Sequence, residues 1–227
     1  MWIKICANTN LEDAQLAAEL GADAIGFVFA PSTRRVTSAE VAKITPHLPA
    51  TVERVGVFHA LDAYEIARGA HEAGLDTVQL HGGVDLALMR RLHKLFAGQV
   101  KMIQAVHWSV DEDGASAAVV AAQLREIAQE GLVDRVLIDS KVGAALGGTG
   151  VSFDWHTAGT ALAHAAPQLK LIVAGGLRHE NVAEAIHGLK PWGVDVASGV
   201  ESEPGKKSPE KLAAFIRKAR ESKVGSI

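Results

Sequence analysis

Short apolar runs rich in β-branched residues alternate with amphipathic segments along the whole chain. Eight runs are typical of buried strands: WIKIC, AIGFVF, VERVGVF, TVQLH, VKMIQAV, RVLIDS, LKLIVAGG and GVDVASG. The segments between them carry helix start signals, such as Thr37 followed by Glu40, and glycine stops at Gly21, Gly74 and Gly131. The pattern predicts eight strand-helix units in succession.

A second regularity concerns the even-numbered runs, each of which contains or follows a glycine and an aspartate. The aspartates are Asp23, Asp76, Asp134 and Asp195, about two strand-helix units apart each time. We interpret each pair as a helix-ending glycine, a short polar turn and then a strand, although glycine and aspartate also coincide in turns by chance. Even spacing favours a closed (β/α)8 barrel over an open sheet with a second domain. We therefore predict an α/β protein with one domain, a TIM barrel over residues 1–227.

Composition and charge narrow the range of partners. The 227 residues are 48% apolar, enough for one large core, and the apolar runs are far shorter than a bilayer span requires. The net charge of -3 is spread along the chain and gives no basic face for nucleic acid. One cysteine and no apolar leader indicate a reduced, cytoplasmic protein. We expect a small-molecule ligand, no membrane or nucleic-acid partner, and a monomer or homodimer.

The active site of such a barrel lies where the strands end and the following loops begin, and Cys6 ends the first run. A lone cysteine is commonly an inert, buried apolar residue. The position of Cys6, on the same strand face as Lys4 and next to a polar loop, favours a chemical role instead. A nearby cation or loop dipole would leave its thiol partly ionised and able to act as a general base.

Asp139 ends the sixth run and is the second chemical candidate. An aspartate there is either a helix-capping or turn residue or a buried acid with a raised pKa. The glycine-rich stretch SKVGAALGGTG that follows does not begin a helix at once, which weakens the capping interpretation. This stretch either folds over a ligand or is a solvated connection.

Glycines after the seventh and eighth runs indicate a phosphate site. Loops at these two positions of a barrel commonly hold phosphate on backbone N–H groups, and glycine lets the backbone approach closely. Taken singly, either pair could be an ordinary tight turn. The residues concerned are Gly175, Gly176, Ser198 and Gly199.

Three other side chains reach the predicted mouth. Arg35, beside Arg34 in the loop after the second run, is suited to bind a carboxylate with its forked guanidinium, although most loop arginines are merely solvated. Gln79 and His81 end the fourth run. No segment matches a phosphate-binding P-loop, a zinc motif or a calcium loop, so we predict no metal site.

The ordered set of Cys6, GFVFAPSTRRV, VGVF, VQLHG, LIDSK, GGTG, FDW, AGGL and GVDVASGVE with PGKK resembles the phosphoribosylanthranilate isomerase family of tryptophan biosynthesis. The resemblance covers nearly the whole chain. It implies a (β/α)8 barrel that converts N-(5-phosphoribosyl)anthranilate to 1-(o-carboxyphenylamino)-1-deoxyribulose 5-phosphate, without a cofactor, by an Amadori rearrangement. It also implies Asp139 as general acid, Cys6 as general base, Arg35 on the anthranilate carboxylate, and the glycine loops on the phosphate.

One departure and two rivals qualify this resemblance. Family members usually have glycine after the cysteine, whereas this chain has Ala7 and Asn8, so we expect a reshaped loop behind Cys6. The related barrel isomerase of histidine biosynthesis uses two aspartates, and Cys6 argues against it, although a bifunctional substrate range stays open. A barrel that binds a phosphosugar without catalysis is the rival from another class.

Overall fold

The computed structural model describes residues 1–59, 61–109, 115–141 and 166–222. Most of the glycine-rich stretch after the sixth run, and the FDW motif, lie outside these residues. No described helix is both long and apolar enough to cross a bilayer.

Eight parallel strands close into a barrel in sequence order, with the first strand paired to the eighth. This confirms the predicted fold, and each strand coincides with one of the eight apolar runs. The strands are β1 Trp2–Ile5, β2 Ala24–Val28, β3 Glu53–Phe58, β4 Thr77–Leu80, β5 Lys101–Ser109, β6 Arg135–Lys141, β7 Lys170–Ala174 and β8 Gly193–Val196.

Helices follow the strands around the outside of the barrel. Those described are α1 Leu11–Glu19, α2 Ser38–Val41, α3 Ala63–Glu72, α4 Leu86–Phe96, α5 Ala115–Glu130, α6 Val182–Leu189 and α7 Pro209–Glu221. Short 3-10 turns span Thr45–His47 and Ser198–Val200, and a small hairpin pairs β9 Glu201–Glu203 with β10 Lys206–Lys207.

The predicted helix boundaries have the expected chemistry. Thr37 and Glu40 form a reciprocal capping box at the start of α2. Gly21, Gly74 and Gly131 each have a positive φ, the conformation in which glycine ends a helix at no steric cost.

Strand alternation divides the apolar core into two layers. One face of each strand packs under the helices, as Ile3 and Phe27 do. The other face fills the inside of the barrel with a separate cluster that includes Val55, Ile103 and Leu137. The inside of the barrel is thus a packed apolar core.

A buried ion pair closes the end of the barrel where the strands begin. Arg135 is 4% exposed and donates two hydrogen bonds to Glu53, at 2.8 and 2.7 Å. Thr77 donates a third to the same carboxylate, and the Arg135 guanidinium lies 5.6 Å from the ring centroid of Trp2, which stacks on Trp192. Although burial acts to raise it, the bonds from Arg135 and Thr77 hold the pKa of Glu53 below its ordinary value.

Three of the four regularly spaced aspartates, Asp23, Asp76 and Asp134, precede a strand, whereas the fourth does not. Asp23 and Asp76 lie just before their strands and accept from backbone N–H groups of Ile3 and Arg54, as turn residues do. Asp195 lies inside β8 instead. The interpretation of a helix-ending glycine and turn is therefore wrong for this run, because its glycine is itself a strand residue.

Candidate active site

A cavity of about 350 Å³ opens at the carboxyl ends of the strands. Most of the predicted site residues lie around it, together with Asp195, which the sequence did not single out. The predicted residues on its wall are Cys6, Gln79, His81, Asp139, Gly175, Gly176 and Ser198. The structure therefore brings the thiol and the carboxyl group into one space.

Cys6 directly follows β1 and is 7% exposed. Its backbone N–H donates to the Val196 carbonyl at 2.8 Å, which ties the cysteine to the end of β8. The next residue, Ala7, adopts φ +61°, a conformation in which glycine is the usual residue. The loop therefore makes a turn of the kind that glycine usually forms, with alanine in the left-handed position, and its reshaping relative to the family stays a prediction.

Asn8 holds this turn in place. It is fully buried, and its backbone N–H donates to the Gly26 carbonyl at 2.9 Å. Its side-chain amide donates to the Ile5 carbonyl at 2.8 Å. These two bonds link the loop to β1 and β2, and they offset the cost of the left-handed alanine.

A buried ammonium lies beneath Cys6. Lys4 is fully buried inside the barrel, and its Nζ donates to Gln79 Oε1 at 2.7 Å, Asp195 Oδ2 at 3.0 Å and Cys6 Sγ at 3.4 Å. Burial acts to lower the pKa of Lys4, but Asp195 and Cys6 raise it above its ordinary value. Lys4 therefore stays charged, and Gln79 lies on the cavity wall as the acceptor of one of its protons.

The pKa of the Cys6 thiol is raised, whereas partial ionisation at neutral pH is favoured by a lowered pKa. Burial raises the pKa of Cys6, and this exceeds the lowering that Lys4 produces. Burial therefore opposes the expected ionisation, although the predicted neighbouring cation is present.

Gly26, on β2, provides the space for this group. A Cβ atom at Gly26 would lie 2.8 Å from Lys4 Cε and 2.9 Å from Cys6 Sγ, closer than side chains tolerate. The missing side chain thus lets the lysine and the thiol lie side by side.

Asp139 lies within β6, which continues to Lys141, so the helix-capping alternative is wrong. Two histidines surround its carboxylate. His81 Nε2 lies 3.6 Å and His107 Nδ1 lies 3.9 Å from Asp139 Oδ2. The rings of His81 and His107 meet edge to face, with centroids 4.7 Å apart. The sequence did not indicate His107, because its closeness to Asp139 follows from the pairing of β5 with β6.

The predicted phosphate loops occupy one side of the cavity. Gly175 and Gly176 follow β7 with φ of +89° and +62°, and Ser198 begins the turn after β8. Gly199 does not line the cavity. A Cβ atom there would lie 1.9 Å from the Leu177 carbonyl oxygen, so Gly199 lets the two loops pack against each other.

The two arginines of the β2 loop lie outside the cavity wall. Arg35 is exposed and lines a neighbouring cavity with Phe29 and Phe58. Arg34 makes a forked ion pair with Glu201. The role of Arg35 on a carboxylate stays a prediction, because the structure does not bring this side chain to Cys6.

Lys207 is a buried residue that the sequence indicated only as the last residue of the PGKK motif. Its Nζ donates to the Cys6 carbonyl at 2.6 Å and to Glu201 Oε1 at 3.3 Å. Since Glu201 also pairs with Arg34, one chain of contacts joins the loops after β1, β2 and β8. The position of Cys6 thus depends on residues about 200 positions away.

Comparison with known proteins gives consistent matches. A family model described as N-(5'-phosphoribosyl)anthranilate (PRA) isomerase matches residues 3–218. A protein of this name from Desulfitobacterium hafniense is 40% identical, with 96% of this chain and 97% of the relative covered.

Two solved structures of relatives each cover 97% of this chain and are themselves 99% covered. One is phosphoribosyl anthranilate isomerase in complex with reduced 1-(o-carboxyphenylamino)-1-deoxyribulose 5-phosphate, 34% identical with a TM-score of 0.80. The other contains monomers generated from the dimeric Thermotoga maritima enzyme, 33% identical with a TM-score of 0.77.

Proposed function

The chain belongs to the N-(5'-phosphoribosyl)anthranilate isomerase family, and we propose that it catalyses this isomerisation with Cys6 and Asp139 as its base and acid. The observation that carries the proposal is the shared cavity, in which a thiol after β1 and a carboxyl group on β6 line one space of about 350 Å³. The two groups therefore reach one small substrate from different parts of the barrel wall.

The first step requires an acid. Protonated Asp139 gives its proton to the ribose ring oxygen, the bond from this oxygen to C1 breaks, and the nitrogen lone pair forms a Schiff base with C1. His81 lies 3.6 Å from the same carboxylate and is placed to position it.

The second step requires a base. The Cys6 thiolate removes the proton from C2, and the C2–H electrons form the double bond of an enolamine, which tautomerises to the ketone. Because burial raises the thiol pKa, the thiolate needs a neighbouring cation, and Lys4 at 3.4 Å supplies one. We infer that Lys4 and Asp195 set the charge around Cys6.

Substrate recognition follows from the surroundings of the cavity. Backbone N–H groups at Gly175, Gly176 and Ser198 are suited to hold the phosphate, with Gly199 supporting the loop packing. Arg35 is proposed to bind the anthranilate carboxylate after its loop turns toward the cavity.

Assembly and location are a separate part of the proposal. The dimeric relative supports a homodimer, and the free thiol suits a reducing compartment such as the cytoplasm.

The test is a fluorescence assay in which freshly generated phosphoribosylanthranilate is consumed by the purified protein. We expect turnover by the parent and a fall in kcat of at least about 100-fold in both Cys6→Ala and Asp139→Asn, with small changes in binding. Near-normal kcat in either variant would remove that residue from its role.

A barrel that only binds a phosphosugar gives a different result. It would show no turnover in the parent and unchanged ligand affinity in Cys6→Ser and Asp139→Asn. Isothermal titration with a reduced product analogue measures this affinity independently of turnover.

A further inference from the structure

Three side chains that commonly bind metals converge at the mouth of the barrel from three adjacent strands. His81 follows β4, His107 lies on β5, and Asp139 lies on β6 opposite His107 in the strand register. One ligand atom from each residue lies within 4.8 Å of the other two. The sequence prediction of no metal considered linear motifs only, and these residues belong to none.

The hydrogen bonding of His107 directs one ring nitrogen toward the carboxylate. Its Nε2 lies 3.2 Å from the His81 carbonyl oxygen, which can only accept, so neutral His107 carries its proton on Nε2. Nδ1 then has a lone pair, and no described residue makes a hydrogen bond to this buried atom. It lies 3.9 Å from Asp139 Oδ2. Two electron-rich atoms that face each other in this way are stabilised by a proton or a cation between them.

We propose that this group binds a divalent transition-metal ion through His81 Nε2, His107 Nδ1 and Asp139 Oδ2. Zinc bonds of about 2.0–2.2 Å to nitrogen and oxygen place tetrahedral ligand atoms roughly 3.4 Å apart. The two separations from Asp139, 3.6 and 3.9 Å, exceed this by a few tenths of an ångström, and all three ligand atoms lie within 4.8 Å of one another, so rotation of the side chains is needed to close the site around an ion.

Two features of the site narrow the choice of ion. Two imidazoles with one carboxylate favour Zn²⁺, Co²⁺ or Ni²⁺, whereas Mg²⁺ and Ca²⁺ prefer sites made of oxygen atoms. A metal-bound histidine usually donates its other ring N–H to a carbonyl or carboxylate, and the contact of His107 with the His81 carbonyl provides this bond. Three protein ligands leave a fourth position for water.

The consequence for activity rests on the proposed function. A carboxylate oxygen that binds a metal ion cannot carry the proton that opening of the ribose ring requires. The ion therefore inhibits the isomerase, and a chelator restores turnover.

The test is a titration of the chelator-treated parent with Co²⁺, followed by visible absorption, and with Zn²⁺, followed by calorimetry. We expect absorption bands of four- or five-coordinate Co²⁺, and a Kd at least about tenfold weaker in His107→Gln. Gln can still donate to the His81 carbonyl, and His107 has no part in the proposed reaction. The matched control is His93→Gln, which removes an exposed histidine of α4 and leaves the Kd unchanged.

Two readouts separate this inference from the proposed function. Absence of Co²⁺ bands in the parent, or equal affinity in the folded parent and His107→Gln, would overturn the metal site whatever the turnover. In the activity assay, Zn²⁺ should inhibit the parent and His93→Gln but not His107→Gln. If the parent shows no turnover, the Co²⁺ titration still decides, with Asp139→Asn as a second variant that must weaken binding.

Discussion

The two ends of the barrel are built from the same strands but satisfy their polar groups differently. Where the strands begin, Arg135 is buried, hydrogen-bonded to Glu53 and covered by Trp2. Where they end, Cys6 and Asp139 face a cavity, and the thiol has a raised pKa. Both ends contain buried ion pairs, Arg135 with Glu53 at one and Lys4 with Asp195 at the other, but at the strand ends a thiol and a carboxyl group also face a cavity, where they are available for proton transfer.

The contrast between the two ends of the barrel is visible within a single strand. β6 begins at Arg135 and contains Asp139, which points to the same side of the strand because the two positions differ by an even number. Leu137, between them on this face, belongs to the apolar cluster inside the barrel. A layer of apolar side chains therefore separates the stabilising end from the chemical end, so substitutions should affect one end without the other.

The largest expected effect is on stability, from Glu53→Gln at the strand-start end. This variant removes the carboxylate that is hydrogen-bonded to buried Arg135 and leaves the guanidinium only the looser contact with Asp134 at 3.7 Å, so we expect a loss of about 3 kcal/mol in the free energy of unfolding. The kcat should not change. Urea unfolding at neutral pH measures the free energy of unfolding, and the fluorescence assay measures kcat.

The pH dependence of this loss has a defined sign. Because the pKa of Glu53 is lowered by folding, its contribution is complete above the ordinary glutamate pKa, about 4.3, and is lost as the pH falls through the lower folded value. The difference between parent and variant should therefore narrow as the pH falls below about 4.3. As a control, Glu130→Gln breaks an exposed pair with Arg90 and should leave stability nearly unchanged. A pH-independent difference would contradict the assignment.

The second effect is on catalysis, from Gly26→Ala at the strand-end side. The added methyl group displaces Lys4 or Cys6, and we expect kcat to fall by about tenfold to 100-fold, since small displacements of reacting groups have this effect. The matched control is Gly69→Ala on α3, where an added Cβ makes only ordinary contacts at 3.4 Å. Equal kcat in both variants would show that Gly26 does not set the position of Cys6.

The smallest effect is expected from Ala7→Gly, next to the thiol. Glycine removes the cost of the left-handed alanine, about 1 kcal/mol, but loses part of this gain through the larger freedom of the unfolded chain. We expect a rise in stability of less than about 1 kcal/mol and unchanged kcat, because Asn8 already fixes the turn. Ala97→Gly, at another left-handed alanine, should behave in the same way. A changed kcat would mean that Ala7 orients the thiol.

The sequence predicted the fold and the main site residues because these depend on local patterns. All eight strands coincide with apolar runs, and Cys6 and Asp139 lie at or near strand ends, where barrel residues meet ligands.

The residues that it missed depend on pairing between distant parts of the chain. Asp195 was grouped with turn aspartates by its neighbouring glycine, whereas the register of β8 with β1 places it opposite Lys4. His107 becomes a neighbour of Asp139 only through the pairing of β5 with β6. Strand alternation could have placed Asp195 inside the barrel, but no local pattern indicates Lys207 as the anchor of Cys6.

The single cysteine allows the cavity to be labelled selectively. Because Cys6 is the only thiol of the chain and lies on the cavity wall, one equivalent of a small alkylating reagent would count accessible sites. The rate at which Cys6 is alkylated would then report how much of the cavity is occupied by a ligand, even a colourless one. No correction for the reaction of other thiols would be needed.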